Sequence, residues 1–378
     1  MAVKVRGRQT DGRSIEVTLD GAVIADVRDT DPSAEDPWLA PGFIDLQVNG
    51  FGGHDVNGAD VSPAGIAAMV SGLQAVGTTT FVPTIVTASA DAICASLSAI
   101  AAARQDPVVA QAIPFAHVEG PFLSDQDGPR GVHALDQIRE PSVAEVDEWQ
   151  KAGDGLVGII TVSPHWPGSA DFIAAMVARG IRVAIGHTHA SPEQIRAAVD
   201  AGATLCTHLG NGAHALVPRH PNYIWTQLAD DRLTAGLIAD GHHLPGDTLK
   251  AMIRAKTPER VVLVTDAVAL AGMPPGDYVQ PVGGTVRLEP NGRLGYIGTP
   301  FLAGSVAILA NCVAFTASAA EVGLATAVAC ATTNPARVIG AAAADRAVIA
   351  PGRRADLVAF DWAPGDTTVS LRQTWVAR

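Results

Sequence analysis

The sequence predicts an α/β protein with a (β/α)₈ TIM-like barrel and a small β-sandwich that both ends of the chain build together. Eight short apolar segments alternate with helical segments, and both ends alternate polar and apolar residues. Eight βα units favour a closed barrel over an open doubly wound sheet. We therefore expect the first part of the sandwich in residues 1–42, the barrel in 43–344 and the second part of the sandwich in 345–378.

The N-terminal segment SIEVTLDGAVIADVRD alternates polar and apolar residues around a turn at Asp20-Gly21. This pattern is typical of a β-hairpin. The C-terminal segments ADLVAFDWAPG and TTVSLRQTWVAR have the same character. Since β-rich segments flank the βα body on both sides, we expect them to meet in one small domain.

The body contains eight predicted strands that are short, apolar and mostly β-branched, as strands buried on both faces should be. They are Phe43–Val48, Thr79–Ile85, Ile113–Val118, Leu156–Val162, Ile181–Gly186, Ala203–Thr207, Thr234–Ala239 and Val261–Thr265. Two of the helical segments between them open with Ser-Pro, which suits an N-cap and a first helical position. A further hairpin is predicted over Pro281–Gly298.

The composition of the chain argues against two classes of binding partner, nucleic acids and membranes. The formal net charge is −12, which argues against nucleic acid as a partner. No uninterrupted apolar segment is long enough to span a bilayer, and the N-terminus has no apolar signal segment, so we expect a cytoplasmic protein without membrane contact. The four cysteines are far apart and form no CxxC pair, as expected for reduced thiols.

Three potential metal ligands follow separate apolar segments. Glu119, His187 and His208 stand at the ends of the third, fifth and sixth predicted strands. The carboxyl ends of barrel strands converge on one mouth, so these side chains should meet there. Three protein ligands leave a position open for water, which marks a catalytic site. We expect one divalent ion per chain, most readily Zn²⁺, with Fe²⁺, Co²⁺ and Mn²⁺ as alternatives.

Asp266 ends the eighth predicted strand in the segment VTDA. Beside a metal site it suits a general base that takes a proton from water, whereas alone it would suit the N-cap of the next segment. Gln47 and Asn49 occupy the end of the first strand. Since amides are poor ligands for zinc, this pair favours one ion over two.

In so acidic a chain, an anionic substrate needs local cations. Arg219 and His220 in VPRHPN, and His242 and His243 in ADGHH, follow predicted strands and could hold a group such as phosphate. The alternative for both segments is a surface or interface loop.

Nine segments together resemble the N-acetylglucosamine-6-phosphate deacetylase family of the amidohydrolase superfamily. They are PGFIDLQVNGFGG, HVEGPF, GHTHA, THLGN, IADGHH, VTDA, LAGS, TTNPARVIG and GRRADLVAFD, and they extend from about Pro41 to Asp361. The resemblance implies metal-dependent hydrolysis of the N-acetyl group of N-acetylglucosamine 6-phosphate, which gives glucosamine 6-phosphate and acetate. It also implies a homodimer.

The resemblance assigns roles to particular residues. Glu119, His187 and His208 match the metal ligands, Asp266 matches the catalytic aspartate, and His133 matches a histidine that helps to polarise the acetyl carbonyl. The residues that match substrate contacts are Asn211, Gly212, Arg219, His243, Leu302, Ala303 and Gly304.

This chain departs from the family around the sugar rather than around the metal. It has THLGNGAH where the family usually has THLYNAM or THLFNAM, and the segment around His133 lacks its usual proline. Two alternatives therefore remain open: a deacetylase for another N-acyl amino sugar or its phosphate, and a catalytically silent amidohydrolase-like binding protein.

Overall fold

The computed structural model describes residues 2–280 and 284–378, and it confirms the predicted fold class. The chain opens with four strands: β1 (Val3–Arg8), β2 (Ser14–Asp20), β3 (Val23–Asp29) and β4 (Trp38–Pro41). The first three form an antiparallel meander, in which the turn at Asp20-Gly21 joins β2 to β3 as predicted.

The barrel region follows directly. In chain order it comprises β5 (Phe43–Val48), β6 (Gly50–Phe51), β7 (His54–Asp55), α1 (Pro63–Ala75), β8 (Thr78–Val86), α2 (Ala90–Ala103), α3 (Pro107–Ala112), β9 (Ala116–Glu119), α4 (Val143–Ala152), β10 (Val157–Val162), α5 (Ser169–Ala178), β11 (Arg182–Ile185), α6 (Pro192–Asp200), β12 (Leu205–Cys206), α7 (Tyr223–Ala229), β13 (Thr234–Ile238), α8 (Gly246–Lys256) and β14 (Val261–Val264). Eight of these strands form one parallel sheet in the order β5-β8-β9-β10-β11-β12-β13-β14. All eight predicted strands are therefore confirmed.

The seam between β14 and β5 closes the barrel. The backbone N–H of Asp266 donates to the carbonyl oxygen of Gln47 at 2.9 Å, and Val48 bridges Ala267 in a parallel arrangement. A second contact across the seam is a hydrogen bond of 2.6 Å from the Thr265 hydroxyl to the Asp45 carboxylate. Closure therefore brings Asp266 beside the end of the first barrel strand.

Two apolar clusters hold the barrel together. The larger one packs the helices against the outside of the sheet. The smaller one joins residues from strands around the sheet, such as Ile44, Ile159 and Val262, which can meet only in the barrel interior. Ile339 joins this inner cluster. The predicted Ser-Pro helix starts are also confirmed, since Ser62 and Ser191 cap α1 and α6.

The remaining elements follow the barrel. They are β15 (Gly276–Gln280), β16 (Gly284–Leu288), β17 (Leu294–Tyr296), α9 (Leu309–Ala319), α10 (Leu324–Cys330), α11 (Thr333–Ile339), β18 (Leu357–Asp361) and β19 (Ser370–Trp375); single 3₁₀ turns occur at Leu135–Gln137, Pro258–Arg260 and Gly340–Ala343. The hairpin predicted over Pro281–Gly298 is present as β16 and β17, and β15 adds a third strand. Residues 281–283 of that prediction lie outside the described residues.

Both ends of the chain meet in one sheet, as predicted. Its order is β19-β18-β4-β1-β2-β3. β1 and β4 pair in parallel, and all other neighbouring strands of this sheet pair antiparallel. Val5, Ile15, Val17, Leu39 and Leu357 are among its buried residues. The domain boundaries at residues 42/43 and 344/345 stay a prediction. Within the described part of the chain, no helix is long and apolar enough to cross a membrane.

Candidate active site

Three side chains converge at the barrel mouth. Glu119 Oε1 lies 3.1 Å from His187 Nε2 and 2.9 Å from His208 Nε2, and the two imidazole nitrogens lie 3.1 Å apart. All three residues are buried. Glu119 is the last residue of β9, and His187 and His208 follow β11 and β12, so the converging ends of separate strands bring them together as the sequence predicted.

The backbone at this mouth is strained. His187, His208 and Asp266 have φ of 47°, 25° and 51°, a region that residues other than glycine rarely adopt. Each of them lies two residues beyond the end of its strand, where the chain turns away from the barrel. Such strain costs about 1–3 kcal/mol per residue and tends to occur at functional sites. After these turns the imidazoles of His187 and His208 meet the carboxylate of Glu119.

The donor atoms of Glu119, His187 and His208 fit a divalent metal ion. Ligand bonds of ~2.0–2.2 Å place neighbouring ligand atoms ~2.8–3.6 Å apart, from right-angled to tetrahedral coordination, and the three separations here are 2.9, 3.1 and 3.1 Å. One carboxylate oxygen and two imidazole nitrogens are a donor set that zinc and its neighbours in the first transition row accept. The residues present therefore fit the ion that the sequence predicted.

Electrostatics at the cluster favour positive charge. Burial alone would raise the pKa of Glu119, but the charge of His208 and the hydrogen bonds from both histidines lower it well below its usual range. Burial would lower the pKa of His208, but the Glu119 carboxylate outweighs burial and raises it to about 9. Protons and metal ions compete for the same ligand atoms, so a site that stabilises a proton so strongly also suits a cation.

Asp266 lies next to this cluster and is held by two amides. Its Oδ1 accepts hydrogen bonds from Asn49 Nδ2 at 2.7 Å and from Gln47 Nε2 at 3.1 Å. Gln47 Nε2 also donates to Glu119 Oε2 at 2.9 Å. Both amides thus present N–H groups to carboxylates and act as donors, in agreement with a single ion. Burial, followed by the negative charge of Glu119, raises the pKa of Asp266.

His133 reaches the same centre from the loop after β9. Its Nε2 lies 3.3 Å from His187 Nε2, and its Nδ1 lies 2.8 Å from the Thr87 hydroxyl. Donor atoms of Glu119, His133 and His187 lie within 4.8 Å of one another, so His133 borders the metal site. Burial, followed by the charge of His187, lowers the pKa of His133 to about 3, which keeps its ring neutral.

Asn211 and Gly212 lie in the loop that follows His208. The Asn211 side chain donates to the His208 carbonyl oxygen at 3.3 Å. Gly212 has φ of 55°, and a Cβ atom there would stand 2.6 Å from His187 Nδ1. The loop therefore passes so close to His187 that only glycine leaves the imidazole in place.

Of the two residues predicted to contact the phosphate, His243 and Arg219, only His243 is held by a hydrogen bond in the described part of the chain. His243 Nδ1 lies 2.6 Å from Asp240 Oδ2, and this contact leaves Nε2 available to a ligand. Arg219 is exposed, and within the described residues its side chain has no hydrogen bond or ion pair. Its role in substrate binding stays a prediction.

Leu302, Ala303 and Gly304 lie beside the segment that follows Asp266. Leu302 bridges Gly295, and the next residues lead into Ser305, which bridges Ala267. Gly304 has φ of 111°, and a Cβ atom there would stand 2.6 Å from Val268. This loop therefore runs alongside the turn that carries Asp266.

Sequence reasoning missed several buried polar residues that support the site. Thr87 contacts His133, and the pair of Asp45 and Thr265 connects the barrel seam. His117 lies below Glu119 on β9 and bonds to the Thr161 hydroxyl at 2.7 Å. A polar residue inside or just beyond an otherwise apolar strand was the available signal, but the identity of its partner depends on barrel closure.

A parallel βα barrel whose mouth gathers a carboxylate, imidazoles and a separate, partly buried acid has the architecture of a metal-dependent hydrolase. Comparison with known proteins agrees with this class. The chain belongs to the amidohydrolase family, whose model matches residues 38–377. The family resemblance predicted from the sequence is thereby confirmed.

The chain is similar to several deacetylases of N-acetylhexosamine 6-phosphates. The chain is 32% identical to N-acetylgalactosamine-6-phosphate deacetylase of Escherichia coli O157:H7, over 89% of this chain and 86% of that protein. It is 31% identical to N-acetylglucosamine-6-phosphate deacetylase of Danio rerio, over 91% and 84% respectively. A solved structure from Mycobacterium smegmatis, an aspartate-to-alanine variant of N-acetyl-D-glucosamine-6-phosphate deacetylase in complex with N-acetyl-D-glucosamine 6-phosphate, superimposes with a TM-score of 0.84 at 30% identity, covering 97% of this chain and 94% of that one.

Proposed function

We propose that this protein hydrolyses the N-acetyl group of N-acetylglucosamine 6-phosphate to give glucosamine 6-phosphate and acetate. The observation that carries the proposal is the convergence of Glu119, His187 and His208 next to a separate, partly buried acid, Asp266, in a chain whose relatives act on acetylated hexosamine phosphates. We also propose that it works in the cytoplasm as a homodimer. All four cysteines are free, which agrees with a reducing compartment.

Glu119, His187 and His208 would hold one divalent ion, which we take to be zinc. Such an ion supplies Lewis acidity that activates water and polarises an acyl oxygen. The chain orients these ligands from outside: His187 Nδ1 lies 2.8 Å from the Pro129 carbonyl oxygen, which directs Nε2 towards the centre. Contacts of this kind fix the ring orientation of histidine ligands.

Asp266 would act as the general base. Asn49 and Gln47 occupy its Oδ1, so Oδ2 is the atom that would take a proton from the attacking water. Collapse of the tetrahedral intermediate then requires a proton at the leaving nitrogen, and Asp266 would return the same proton there. Its raised pKa suits both steps, because a stronger base holds the proton until the nitrogen needs it.

His133 would help to polarise the acetyl carbonyl. Its ring is neutral and its Nε2 faces the site, so the role requires the ring proton to lie on Nε2. A neutral N–H donor aimed at the carbonyl oxygen stabilises the charge that develops during attack. The Thr87 hydroxyl, 2.8 Å from Nδ1, holds the ring in this orientation.

The sugar and its phosphate would lie along the loops that follow β12, β13 and β14. His243, oriented by Asp240, and the planar guanidinium of Arg219 would hold the phosphate. Asn211 and Gly212 would line the sugar on one side, and the loop of Leu302, Ala303 and Gly304 would flank the acetyl group on the other.

A second substrate, N-acetylgalactosamine 6-phosphate, is favoured by one observation. The relative from Escherichia coli O157:H7 carries that name and matches across 89% of this chain. The two sugars differ only in the configuration of one hydroxyl group. The chemistry at the acetyl group is therefore the same for both, and the discrimination falls to the loop THLGNGAH, where this chain departs from the usual pattern of the family.

The proposal is tested by measuring kcat/KM for acetate release from both hexosamine phosphates and from unphosphorylated N-acetylglucosamine. We expect N-acetylglucosamine 6-phosphate to be the best substrate and the unphosphorylated sugar to be poor. A preference for the galactose isomer would select the second candidate. Absence of acetate release from all three by metal-replete protein would favour a silent binding protein.

A further inference from the structure

A second group of potential metal ligands lies outside the centre described above. Donor atoms of Asp125, His165 and His189 lie within 4.8 Å of one another. The two imidazole rings are stacked, with centroids 4.1 Å apart and planes inclined at 43°. These residues follow three neighbouring barrel strands, β9, β10 and β11, so the fold itself brings them to one place at the mouth.

Neither histidine takes part in the site already described. His189 is two residues from His187, but its Nδ1 contacts the Ser124 hydroxyl at 2.5 Å instead of the Glu119 cluster. His165 Nδ1 contacts the Ser163 hydroxyl at 2.7 Å. Two serines therefore hold the two rings, and each ring has only Nε2 left for a ligand.

The contact at Ser163 also fixes the protonation of His165. The Ser163 hydroxyl donates its own hydrogen to Thr188 Oγ1 at 2.8 Å, so its oxygen must accept from His165 Nδ1–H. The neutral ring then carries no proton on Nε2, and its lone pair is free to bind a cation. Burial, followed by the neighbouring His189, lowers the pKa of His165 to about 4, which keeps the ring in this neutral form.

The third potential ligand, Asp125, supplies the negative charge and lies on the side from which an ion can enter from solvent. Asp125 is exposed, and the two histidines are partly buried, so the group opens to solvent on the side of the carboxylate. Ligand atoms of one ion normally lie ~2.8–3.6 Å apart. Asp125 is free to rotate at the surface and to close the remaining gap.

We propose that Asp125, His165 and His189 form a second, exchangeable binding site for a divalent transition-metal ion such as Zn²⁺ or Co²⁺. Two imidazole nitrogens and one carboxylate oxygen select ions of this class over Mg²⁺ and Ca²⁺, which prefer oxygen ligands alone. The proposal is independent of the deacetylase assignment, because it shares no ligand with Glu119, His187 and His208.

The test is isothermal titration of the full-length protein with Zn²⁺ after one equivalent has been loaded and verified by metal analysis. We expect the wild type to take up a second, weaker equivalent. His165→Ala and His189→Ala should lose it, and Asp125→Asn should weaken it without loss of the fold, since Asp125 is exposed. His54→Ala is the matched control, because His54 is an exposed histidine on β7, away from this group. Mg²⁺ should give no second binding event.

Two results would overturn the proposal: no second equivalent in the wild type, or a second equivalent that persists in both histidine variants and in Asp125→Asn. Crystals soaked in Zn²⁺ give an independent reading, since anomalous density should appear between His165 and His189. A loss of metal binding at Glu119, His187 and His208 is recognised separately. His208→Ala should remove the tightly bound ion and leave the weaker binding of the second Zn²⁺ unchanged.

Discussion

The Thr265 hydroxyl donates a hydrogen bond of 2.6 Å to the fully buried carboxylate of Asp45, across the seam of the barrel. Asp45 also accepts a backbone hydrogen bond from Gln47 at 3.1 Å. Thr265 directly precedes Asp266, so this pair fixes the strand end from which the proposed base projects. The hydrogen bonds do not fully offset the cost of burial, which raises the pKa of Asp45 to about 7.

The pH dependence of stability follows from this pKa. The unfolded chain releases the Asp45 proton near the ordinary value of 3.8, whereas the folded protein retains it up to about pH 7. The folded state thus binds more protons in this range, and the contribution of Asp45 to the free energy of unfolding falls as the pH rises through it. Asp45→Asn should remove that part of the slope, as measured by urea unfolding at several pH values. The exposed Asp60→Asn should keep the wild-type slope; an unchanged slope in Asp45→Asn would show that Asp45 titrates normally.

Asp266→Asn should abolish most of the activity without loss of the metal. The amide keeps the size of the side chain, and its oxygen can still accept from Asn49 and Gln47, but it cannot take a proton from water. We expect kcat to fall by roughly 10² or more, the usual scale for general acid–base catalysis. Steady-state kinetics and metal analysis on the same preparation check this expectation. Near-normal turnover in a metal-loaded variant would remove Asp266 from the mechanism.

Gly212→Ala should weaken metal binding although Gly212 itself is not a ligand. A Cβ atom at this position would stand 2.6 Å from His187 Nδ1 and would push the ring away from the centre. We expect a higher Kd for the ion and a matching loss of activity at limiting metal. Gly210→Ala is the matched control, because Gly210 lies in the same loop with φ of 95° but its added Cβ would meet Leu244 and Met252. Equal losses in both variants would point to backbone strain instead of displacement of His187.

Arg219→Ala should impair use of the phosphorylated substrate selectively. Loss of a charge-assisted contact costs roughly 1.5–3 kcal/mol, or about 10- to 150-fold in kcat/KM. Activity on unphosphorylated N-acetylglucosamine should hardly change. Arg196→Ala, which removes an exposed arginine on α6, controls for the general loss of positive charge. Equal losses on both sugars would mean that Arg219 supports its loop and does not bind phosphate.

The barrel and the group of polar residues at its mouth could both be predicted from the sequence. Strands buried on both faces are short and apolar, so Glu119, His187, His208 and Asp266 stood out as polar residues at their ends. The partners of these residues were harder to predict, because hydrogen bonds such as the one from Gln47 to Asp266 join positions that are 219 residues apart. Such contacts depend on the register at barrel closure, which no local pattern encodes.

The histidines outside the main cluster show the same limit. The segment GHTHA contains two histidines with similar local surroundings, and only the turn after β11 sends His187 to Glu119 and His189 to His165. His165 follows β10 in SPHWP, a segment with no metal-binding spacing of its own. A ligand group assembled from three separate strand ends becomes visible only when the strands are placed.

The most direct test of the central claim is acetate release from N-acetylglucosamine 6-phosphate by one preparation in three states: metal-loaded, stripped by a chelator, and reloaded with Zn²⁺. We predict steady release in the first state, loss in the second and recovery in the third, with His208→Ala inactive at the same metal concentration. Release that persists after metal removal, or no release by the metal-replete wild type, would contradict the proposed function.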